Sequence, residues 1–436
     1  MIRRFSLALL TAVTVVPMLP AQTPSAFEAE IRKRTQAVLP QVVAWRRDLH
    51  EHPELGNRET RTAALVAAHL RSLGIEVRTG VATTGVVGVL RGGKPGRAVA
   101  LRADMDALPV TEEVDLPFRS KVRTEYNGQE VGVMHACGHD NHTAMLLGAA
   151  TVLAGMRAEL PGTVTFLFQP AEEGPPTGET GGAKVMLEQG ALDNPKVEAV
   201  FGLHVRPGRA GEIGYKADGA MASSDQLDIV IRGRQTHGAE PWKGIDPIVV
   251  TAQVVNALQA IVSRQTNLAQ APAVITIGSM HGGVRRNIIP DSVVLSGTIR
   301  MFDAAMQSEI HERIKRTVAG VAAAWGATAS VIIAPQTPVL VNEPALTARM
   351  APTLKRYARS AFADIAWTPS EDFAFFGQKV PSLFVLMGVT PDSVRVEDAA
   401  PNHSPRFFAD ESALPYGVQV MAGLAVDFLT APRVTP

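Results

Sequence analysis

Residues that could do chemistry gather around the only cysteine of the chain, Cys137. It lies in the stretch VMHACGHDNH, residues 133–142, together with His135, His139 and His142. A single cysteine cannot form an intrachain disulfide. Three interpretations of Cys137 then stay open: a buried inert residue, a nucleophile activated by a histidine, or a metal ligand.

Carboxylates and a further histidine follow apolar runs elsewhere in the chain. AVALRA leads into Asp104, TVTFLFQPA leads into Glu172 and Glu173, and AVFGL leads into His204. The runs are apolar at both odd and even positions, which is typical of strands buried on both faces of a parallel sheet. Because ligands bind beyond the carboxyl ends of such strands, we expect these side chains to meet at one sheet edge.

A late loop, NHSPRF, adds one more histidine to the set of candidate metal ligands. The complete set is Cys137, His139, Glu173, His204 and His403. Nitrogen, oxygen and sulfur donors of this kind suit zinc and comparable divalent transition metals. Five protein ligands exceed what one tetrahedral catalytic zinc takes, which indicates two ions. Glu172, beside Glu173, could then stay unbound and act as the general base for water.

Alternating strands and helices are predicted to position these residues. The predicted strands of the main sheet are 86–90, 98–103, 163–168, 199–205 and 382–387. The predicted helices around them are 27–50, 58–73, 143–156 and 181–189. This alternation predicts an α/β fold with a mostly parallel sheet and helices on both of its faces.

The middle of the chain has a different order of elements. Its predicted elements are a strand at 227–233, a helix at 246–264, strands at 273–278 and 293–302, a helix at 304–325 and a strand at 328–334. The order β-α-β-β-α-β is the ferredoxin-like pattern. We therefore expect a smaller domain over 219–336, inserted between the two parts of the larger domain, 27–218 and 337–436.

The composition argues against nucleic acid as a partner. The 436 residues carry 42 Lys and Arg against 42 Asp and Glu, and only 5% are aromatic. A chain with no net charge and few stacking side chains lacks the features of nucleic-acid binding.

The N-terminus is predicted to be a signal peptide over residues 1–21. Arg3 and Arg4 precede an apolar run at 5–16, and small residues surround Ala21. The expected location is the periplasm or the exterior, and the arginine pair is compatible with a twin-arginine route. We find no other apolar stretch of the roughly 18 residues that a membrane helix needs, so no membrane association is expected after cleavage.

Nine motifs together resemble the co-catalytic metal amidohydrolases of the aminoacylase and carboxypeptidase G superfamily. The most similar branch contains N-acyl-L-amino acid amidohydrolases, hippurate hydrolases and indoleacetyl-amino acid hydrolases. The resemblance spans about 38–430 and rests on RRDLHEHPEL, LRADMDALPV, HACGHDNHTAMLLGAA, QPAEEG, GLHVRP, HGAEPWKGIDPI, NIIPD, GTIRMFD and SEDFAFF.

The resemblance implies roles for the candidate residues at the metal centre. The five candidate ligands would hold two divalent transition metal ions per subunit, of zinc, manganese, nickel or cobalt. Glu172 would be the catalytic base, and Asp104 would orient a ligand. This chain has Arg102 where the wider superfamily has a histidine ligand, which leaves the metal identity and the sharing of ligands open.

The resemblance also implies roles for the inserted domain, which would act as a lid and dimerisation domain. His237 would reach the site across the interface of a homodimer and stabilise the oxyanion. Asn287 and Arg300 would bind the carboxylate of the substrate. The expected activity is metal-dependent hydrolysis of the amide bond of N-acyl or N-aroyl amino acids.

Three other functions stay open from the sequence. One is a metallo-dipeptidase or carboxypeptidase acting on small peptides, one is a cysteine hydrolase, and one is a non-catalytic exported protein that binds amino acid conjugates. The remaining polar residues are not assigned to the metals. The roles of Asp140 and His142 are left open, His50 and His52 are expected in a helix C-terminal turn, and His281 and His311 are expected in solvent.

Overall fold

The computed structural model describes residues 27–432, so the predicted signal peptide and Arg3–Arg4 lie outside the described residues. The helices are α1 Glu28–Glu51, α2 Thr60–Ser72, α3 His139–Ala154, α4 Gly182–Glu188, α5 Pro247–Gln265, α6 Ala304–Ala324, α7 Pro344–Tyr357, α8 Ala374–Gly377 and α9 Leu414–Thr430. The strands are β1 Glu76–Val81, β2 Gly85–Arg91, β3 Lys94–Asp104, β4 Arg123–Tyr126, β5 Gln129–Gly132, β6 Pro161–Gln169, β7 Ala199–Arg209, β8 Glu212–Tyr215, β9 Asp218–Met221, β10 Ser224–Arg232, β11 Thr236–His237, β12 Ala273–His281, β13 Ile288–Ile289, β14 Ser292–Met301, β15 Thr328–Thr337, β16 Leu340–Asn342, β17 Ser360–Ala363 and β18 Ser382–Thr390.

The larger domain is built on an eight-stranded sheet in the order β1-β2-β6-β3-β7-β18-β8-β17. Its centre, β6-β3-β7-β18, is parallel, and antiparallel pairs join β1 to β2, β2 to β6, and β18 to β8. The prediction of a mostly parallel sheet is therefore confirmed. All of β6, β3, β7 and β18 point their carboxyl ends to one edge, as expected for a ligand site.

Helices cover both faces of this sheet, also as predicted. Leu101 on β3 belongs to the core beneath α1, α3, α7 and α9. Ala100, one residue earlier, belongs to a second core that includes Ala183 of α4 and Phe376 of α8. Successive side chains of a strand point to opposite faces, so central strands buried on both faces are apolar at every position.

The C-terminal helix corrects the expectation that no further stretch suits a membrane. Glu411–Thr430 has the length and the mean hydropathy, 1.3, of a membrane span. However, 83% of this segment is buried inside the protein, where α9 packs against α1, α3 and α7. Its apolar character is explained by its place between the other helices and the sheet.

The inserted element order is confirmed as ferredoxin-like. The strands form an antiparallel sheet in the order β12-β14-β10-β15, and α5 and α6 pack on one of its faces. Ile310, Ile314 and Val318 recur at helical spacing on α6 and are fully buried, since they face this sheet. The Asp246 side chain caps α5 by accepting a hydrogen bond from the Ile248 N–H at 2.9 Å.

Candidate metal centre and active site

The carboxyl ends of the central strands meet at a cleft of about 890 Å³. β3 ends at Asp104, β6 leads into the Glu172–Glu173 loop, and β7 carries His204. The predicted site residues that line the cleft are Cys137, Glu172, Glu173, His204, Arg300 and His403. The fold therefore brings most of the predicted residues together, although they come from separate parts of the chain.

Cys137 and His204 face each other at the base of the cleft. The Cys137 Sγ and His204 Nε2 atoms are 3.4 Å apart, and both side chains are buried. The His204 Nδ1–H donates to the Val205 carbonyl at 2.8 Å, so the lone pair of the ring is on Nε2, toward the sulfur. Burial, together with Glu173, Glu172 and Asp104, raises the pKa of the Cys137 thiol well above its usual value. A thiolate at this position therefore needs a cation beside it.

The start of α3 depends on a glycine. Gly138 adopts φ +88°, and a Cβ there would lie 2.3 Å from Val205 Cγ2. Only glycine satisfies both the left-handed backbone and this close approach to β7. The turn places Cys137 before the helix and His139 at its first residue.

His139 is oriented by Asp106 and presents its other nitrogen to the centre. Its Nδ1 lies 3.2 Å from Asp106 Oδ1, while its buried Nε2 has no hydrogen-bond partner among the described residues. That Nε2 atom is 3.9 Å from both Glu172 Oε2 and Glu173 Oε1. Burial lowers the pKa of His139, but Asp104 and Asp106 outweigh it and raise the pKa to about 10. A metal bound here must displace that proton.

Glu173 and His403 complete the set of predicted ligands. Glu173 Oε1 lies 3.1 Å from His403 Nε2, and the Glu173 N–H donates to Asp106 Oδ2 at 2.9 Å. His403 adopts φ +70°, an unfavourable backbone conformation for a residue other than glycine. Asn402 stabilises this loop by donating to the carbonyls of Cys137 and Val205, at 3.1 Å each.

The donor set fits divalent metal ions. Ligand atoms of Cys137, His139 and Glu173 all lie within 4.8 Å of one another. An ion at ligand distances of about 2.0–2.3 Å can bridge such a group. His139 and His204 also belong to a second, overlapping group with Asp104 and His142. The overlap of the two groups matches the expectation of two neighbouring ions.

The structure places a buried charge network beside Glu172 that the sequence interpretation did not assign. The Arg102 guanidinium is fully buried and donates to Asp104 at 2.7 Å, Glu371 at 2.9 Å and Asp372 at 3.2 Å. Burial, Glu371, Glu173 and Asp372 raise the pKa of Glu172 well above its usual value, while Arg102 opposes them. The motif SEDFAFF and the departure at Arg102 were the available signals. Neither signal indicated that Arg102 and Glu371, 269 positions apart, would pair.

His142 and Asp140, whose roles were open, are both structural. The His142 Nδ1 lies 2.5 Å from Asp104 Oδ1, and its Nε2 accepts the Val205 N–H at 2.8 Å. Because both ring nitrogens are engaged, His142 has no lone pair for a metal. Asp140 does not line the cleft; its carboxylate accepts a hydrogen bond from Arg46 at 3.0 Å and pairs with His50 at 2.8 Å.

Among the remaining histidines, the expectation for His50 is confirmed and the expectation for His311 needs correction. His50 lies in the last turn of α1, as expected, and it is buried between Asp140 and Glu112. His311 was expected in solvent but pairs with the buried Asp225 at 2.8 Å. In both cases a partner distant in sequence removes the imidazole from solvent. His281, by contrast, is exposed as expected.

The predicted substrate-binding residues divide into two groups. Arg300 lines the cleft, and its Nη1 donates to the Ser223 carbonyl at 3.5 Å. His237 and Asn287 are exposed and do not line the cleft of the described chain. They lie together on the inserted domain, where the Gly238 N–H donates to the Asn287 carbonyl at 2.8 Å.

The fold and the site define a class of protein: a metal-dependent hydrolase with a mostly parallel α/β domain, in which histidine, cysteine and carboxylate side chains cluster where a metal ion could bind. The model of peptidase family M20/M25/M40 matches residues 100–427, and the chain belongs to this family. It is therefore a hydrolase that acts on amides.

Individual relatives match over most of their length. The chain is 40% identical to thermostable carboxypeptidase 2 of Saccharolobus solfataricus, over 89% of this chain and 95% of the relative. It is 38% identical to N-acetylcysteine deacetylase of Bacillus subtilis, over 88% and 96%. A solved structure of a dinuclear metal-binding M20 peptidase from Bacillus subtilis superposes with a TM-score of 0.77 at 36% identity, covering 90% and 99%.

Proposed function

We propose that the protein hydrolyses the amide bond of N-acyl or N-aroyl amino acids, using two divalent metal ions and Glu172 as general base. One observation carries the proposal: Glu172 lines the same cleft as four of the five candidate ligands and Arg300, and its Oε2 lies 3.9 Å from the Nε2 of the fifth, His139. The cleft thus combines a metal centre, a base and a cation that can bind a carboxylate. The similarity to an N-acetylcysteine deacetylase supports this substrate class.

The residues around the amide have separate tasks. Ions held by the five ligands would supply Lewis acidity, which polarises the carbonyl and lowers the pKa of water. Glu172 takes a proton from the attacking water as the new C–O bond forms. It then delivers that proton to the leaving nitrogen as the C–N bond breaks. Arg102 and Glu371 hold the carboxylates around Glu172 in place.

Arg300 orients the substrate in the cleft by binding its carboxylate. A guanidinium presents a planar pair of donors that matches a carboxylate. With the amino acid carboxylate at Arg300, the acyl carbonyl is directed toward the metal centre, as required for hydrolysis.

The test is hydrolysis of a substrate panel by purified protein before and after metal removal. N-acetyl, N-benzoyl and N-indoleacetyl amino acids should be cleaved by the metal-loaded protein, and chelation should abolish cleavage until metal is restored. Metal analysis of the same samples should find two ions per chain. Cleavage that survives complete metal removal would overturn the proposal.

A metallo-carboxypeptidase is the second candidate, because thermostable carboxypeptidase 2 of Saccharolobus solfataricus is among the relatives. The two functions share the metal centre and differ in what precedes the scissile amide. Dipeptides with free N-termini, assayed beside their N-acetyl amino acid counterparts, distinguish them. Faster cleavage of the dipeptides would favour the carboxypeptidase.

The site geometry argues against the other two alternatives. A cysteine hydrolase needs an accessible thiolate, whereas Cys137 is buried and the pKa of its thiol is raised. A protein that only binds conjugates has no need of a carboxylate close to the candidate ligands, yet Glu172 Oε2 lies 3.9 Å from His139 Nε2. Thiol alkylation of metal-loaded protein should therefore leave turnover intact.

We further propose that the protein works as a homodimer through the inserted domain, 219–336, which would also act as a lid. The exposed positions of His237 and Asn287, outside the cleft of their own chain, support this proposal, because a second copy could bring His237 to the cleft. Export to the periplasm or beyond, by way of residues 1–21, is proposed from the sequence pattern. Comparing the mass of the protein purified from the periplasm with the full chain tests cleavage.

A further inference from the structure

An apolar wall lies beside the metal centre in the cleft. Trp367 and Met221 both line the cleft, and their backbones form a parallel β-bridge. The Trp367 ring stands nearly edge-on to the His204 ring, with centroids 5.8 Å apart and 65° between the planes. Met221 is 2% exposed and belongs to the core on the second face of the large sheet. The wall is therefore fixed rather than loosely held.

Arg300 marks the opposite end of this wall. Its Nη1 donates to the Ser223 carbonyl, and Ser223 follows Met221 by two residues. The Ala222 N–H between them donates to the Trp367 carbonyl at 3.3 Å. Trp367 and Met221 thus lie between His204 at the metal centre and the cation expected to bind the carboxylate.

The chemistry of the substrate determines what meets the wall. In an N-acyl amino acid, only the amide nitrogen and the Cα separate the scissile carbonyl from the carboxylate group. With the carbonyl at the metal centre and the carboxylate at Arg300, the side chain on the Cα is placed against Trp367 and Met221. We infer that these two residues select the side chain of the released amino acid, favouring large apolar side chains such as phenylalanine and leucine. The inference rests on the proposed function.

The experiment compares kcat/KM of metal-loaded wild type and Trp367→Ala on N-acetyl-L-phenylalanine, N-acetylglycine and N-benzoylglycine. The wild type should prefer N-acetyl-L-phenylalanine to N-acetylglycine by about tenfold or more, as expected for one apolar pocket. Trp367→Ala should lose about tenfold or more on the phenylalanine substrate and less than about threefold on both glycine substrates. Trp367→Phe should retain most of the preference.

Controls separate this inference from a general defect. Trp325→Ala changes an exposed tryptophan at the end of α6, outside the cleft, and should leave all three rates unchanged. Equal losses on all substrates, or loss of bound metal from Trp367→Ala, would show that Trp367 only supports His204 and would overturn the inference. A loss confined to N-benzoylglycine would overturn it too, since the wall would then hold the acyl group.

If the wild type cleaves no N-acyl amino acid, the proposed function itself fails. If it cleaves the phenylalanine and glycine substrates equally well, only this inference fails.

Discussion

At the scale of single residues, hydrogen bonds decide which histidine nitrogens are available. His139 and His142 lie one turn apart on α3, and both are buried. The Nε2 atom of His142 is already engaged by the Val205 N–H, while the Nε2 of His139 has no hydrogen-bond partner among the described residues. Two chemically identical side chains therefore have different tasks.

This difference predicts opposite effects of two substitutions. His139→Ala should lower the number of bound ions per chain, because it removes a ligand. His142→Ala should keep both ions at saturating metal but lower the free energy of unfolding by about 1–3 kcal/mol, because it leaves buried partners unsatisfied. Metal analysis and thermal unfolding of the two variants check this. Loss of an ion from His142→Ala alone would contradict the assignment.

A second prediction concerns Glu172. Glu172→Gln should retain both ions and lose about 10²–10⁴-fold in kcat, since the amide cannot carry the proton. Glu188→Gln, on the exposed surface of α4, is the matched control and should keep full activity. A fully active, metal-loaded Glu172→Gln protein would refute the role of general base.

At the scale of elements, three tight turns present the ligands. Gly138, Ala171 and His403 each have a positive φ, of 88°, 49° and 70°, immediately beside or at a candidate ligand or base. Such turns persist only where the surroundings hold them. The turn at Ala171 is held by Glu59, the residue before α2. The buried Glu59 carboxylate accepts hydrogen bonds from the Ala171 N–H at 2.8 Å and from the Thr84 hydroxyl at 2.5 Å.

Glu59 makes stability depend on pH. Burial and then Asp106 raise its pKa from 4.5 to about 7. Because the folded state holds the Glu59 proton more tightly than the unfolded state, protonation of Glu59 stabilises the fold. This stabilisation is complete below pH 4.5 and is lost as the pH rises through 7. The difference between a pKa of 4.5 and one of about 7 corresponds to roughly 3 kcal/mol in the free energy of unfolding.

Glu59→Gln removes this dependence because the amide stays neutral: its oxygen can accept the Ala171 N–H, and its NH2 can donate to the Thr84 hydroxyl. The Tm of the variant should therefore rise relative to wild type between pH 5 and pH 8, as measured by calorimetry. Glu188→Gln, at an exposed carboxylate, should follow the wild type at every pH. A difference between Glu59→Gln and wild type that does not change with pH would contradict the assigned protonation of Glu59.

At the scale of the whole molecule, the two domains have separate hydrophobic cores and contribute to one cleft. Arg300 comes from the inserted sheet, whereas the five candidate ligands come from the large domain. His237 and Asn287 stay outside the cleft of their own chain. If a second copy supplies His237, each site combines residues of two subunits.

Shared sites predict complementation between two inactive variants. His237→Ala and Glu172→Gln should each be inactive alone. Mixed dimers would contain one complete site, with Glu172 from one subunit and His237 from the other. Random re-association of equal amounts should therefore restore about one quarter of wild-type activity. No recovery in a mixture shown to contain mixed dimers would exclude a shared site.

The types of candidate ligand, the α/β alternation and the β-α-β-β-α-β insertion could all be predicted from the amino-acid sequence. These properties are local, since hydrophobic periodicity fixes the elements and the side-chain type fixes the donor atoms. The fold was needed to show that His139 Nε2 lacks a hydrogen-bond partner among the described residues while His142 is engaged at both nitrogens, and that Arg102 pairs with Glu371. It also placed Trp367 between His204 and Arg300. Each of these outcomes depends on a partner tens to hundreds of residues away, and no local pattern records which partner the fold will supply.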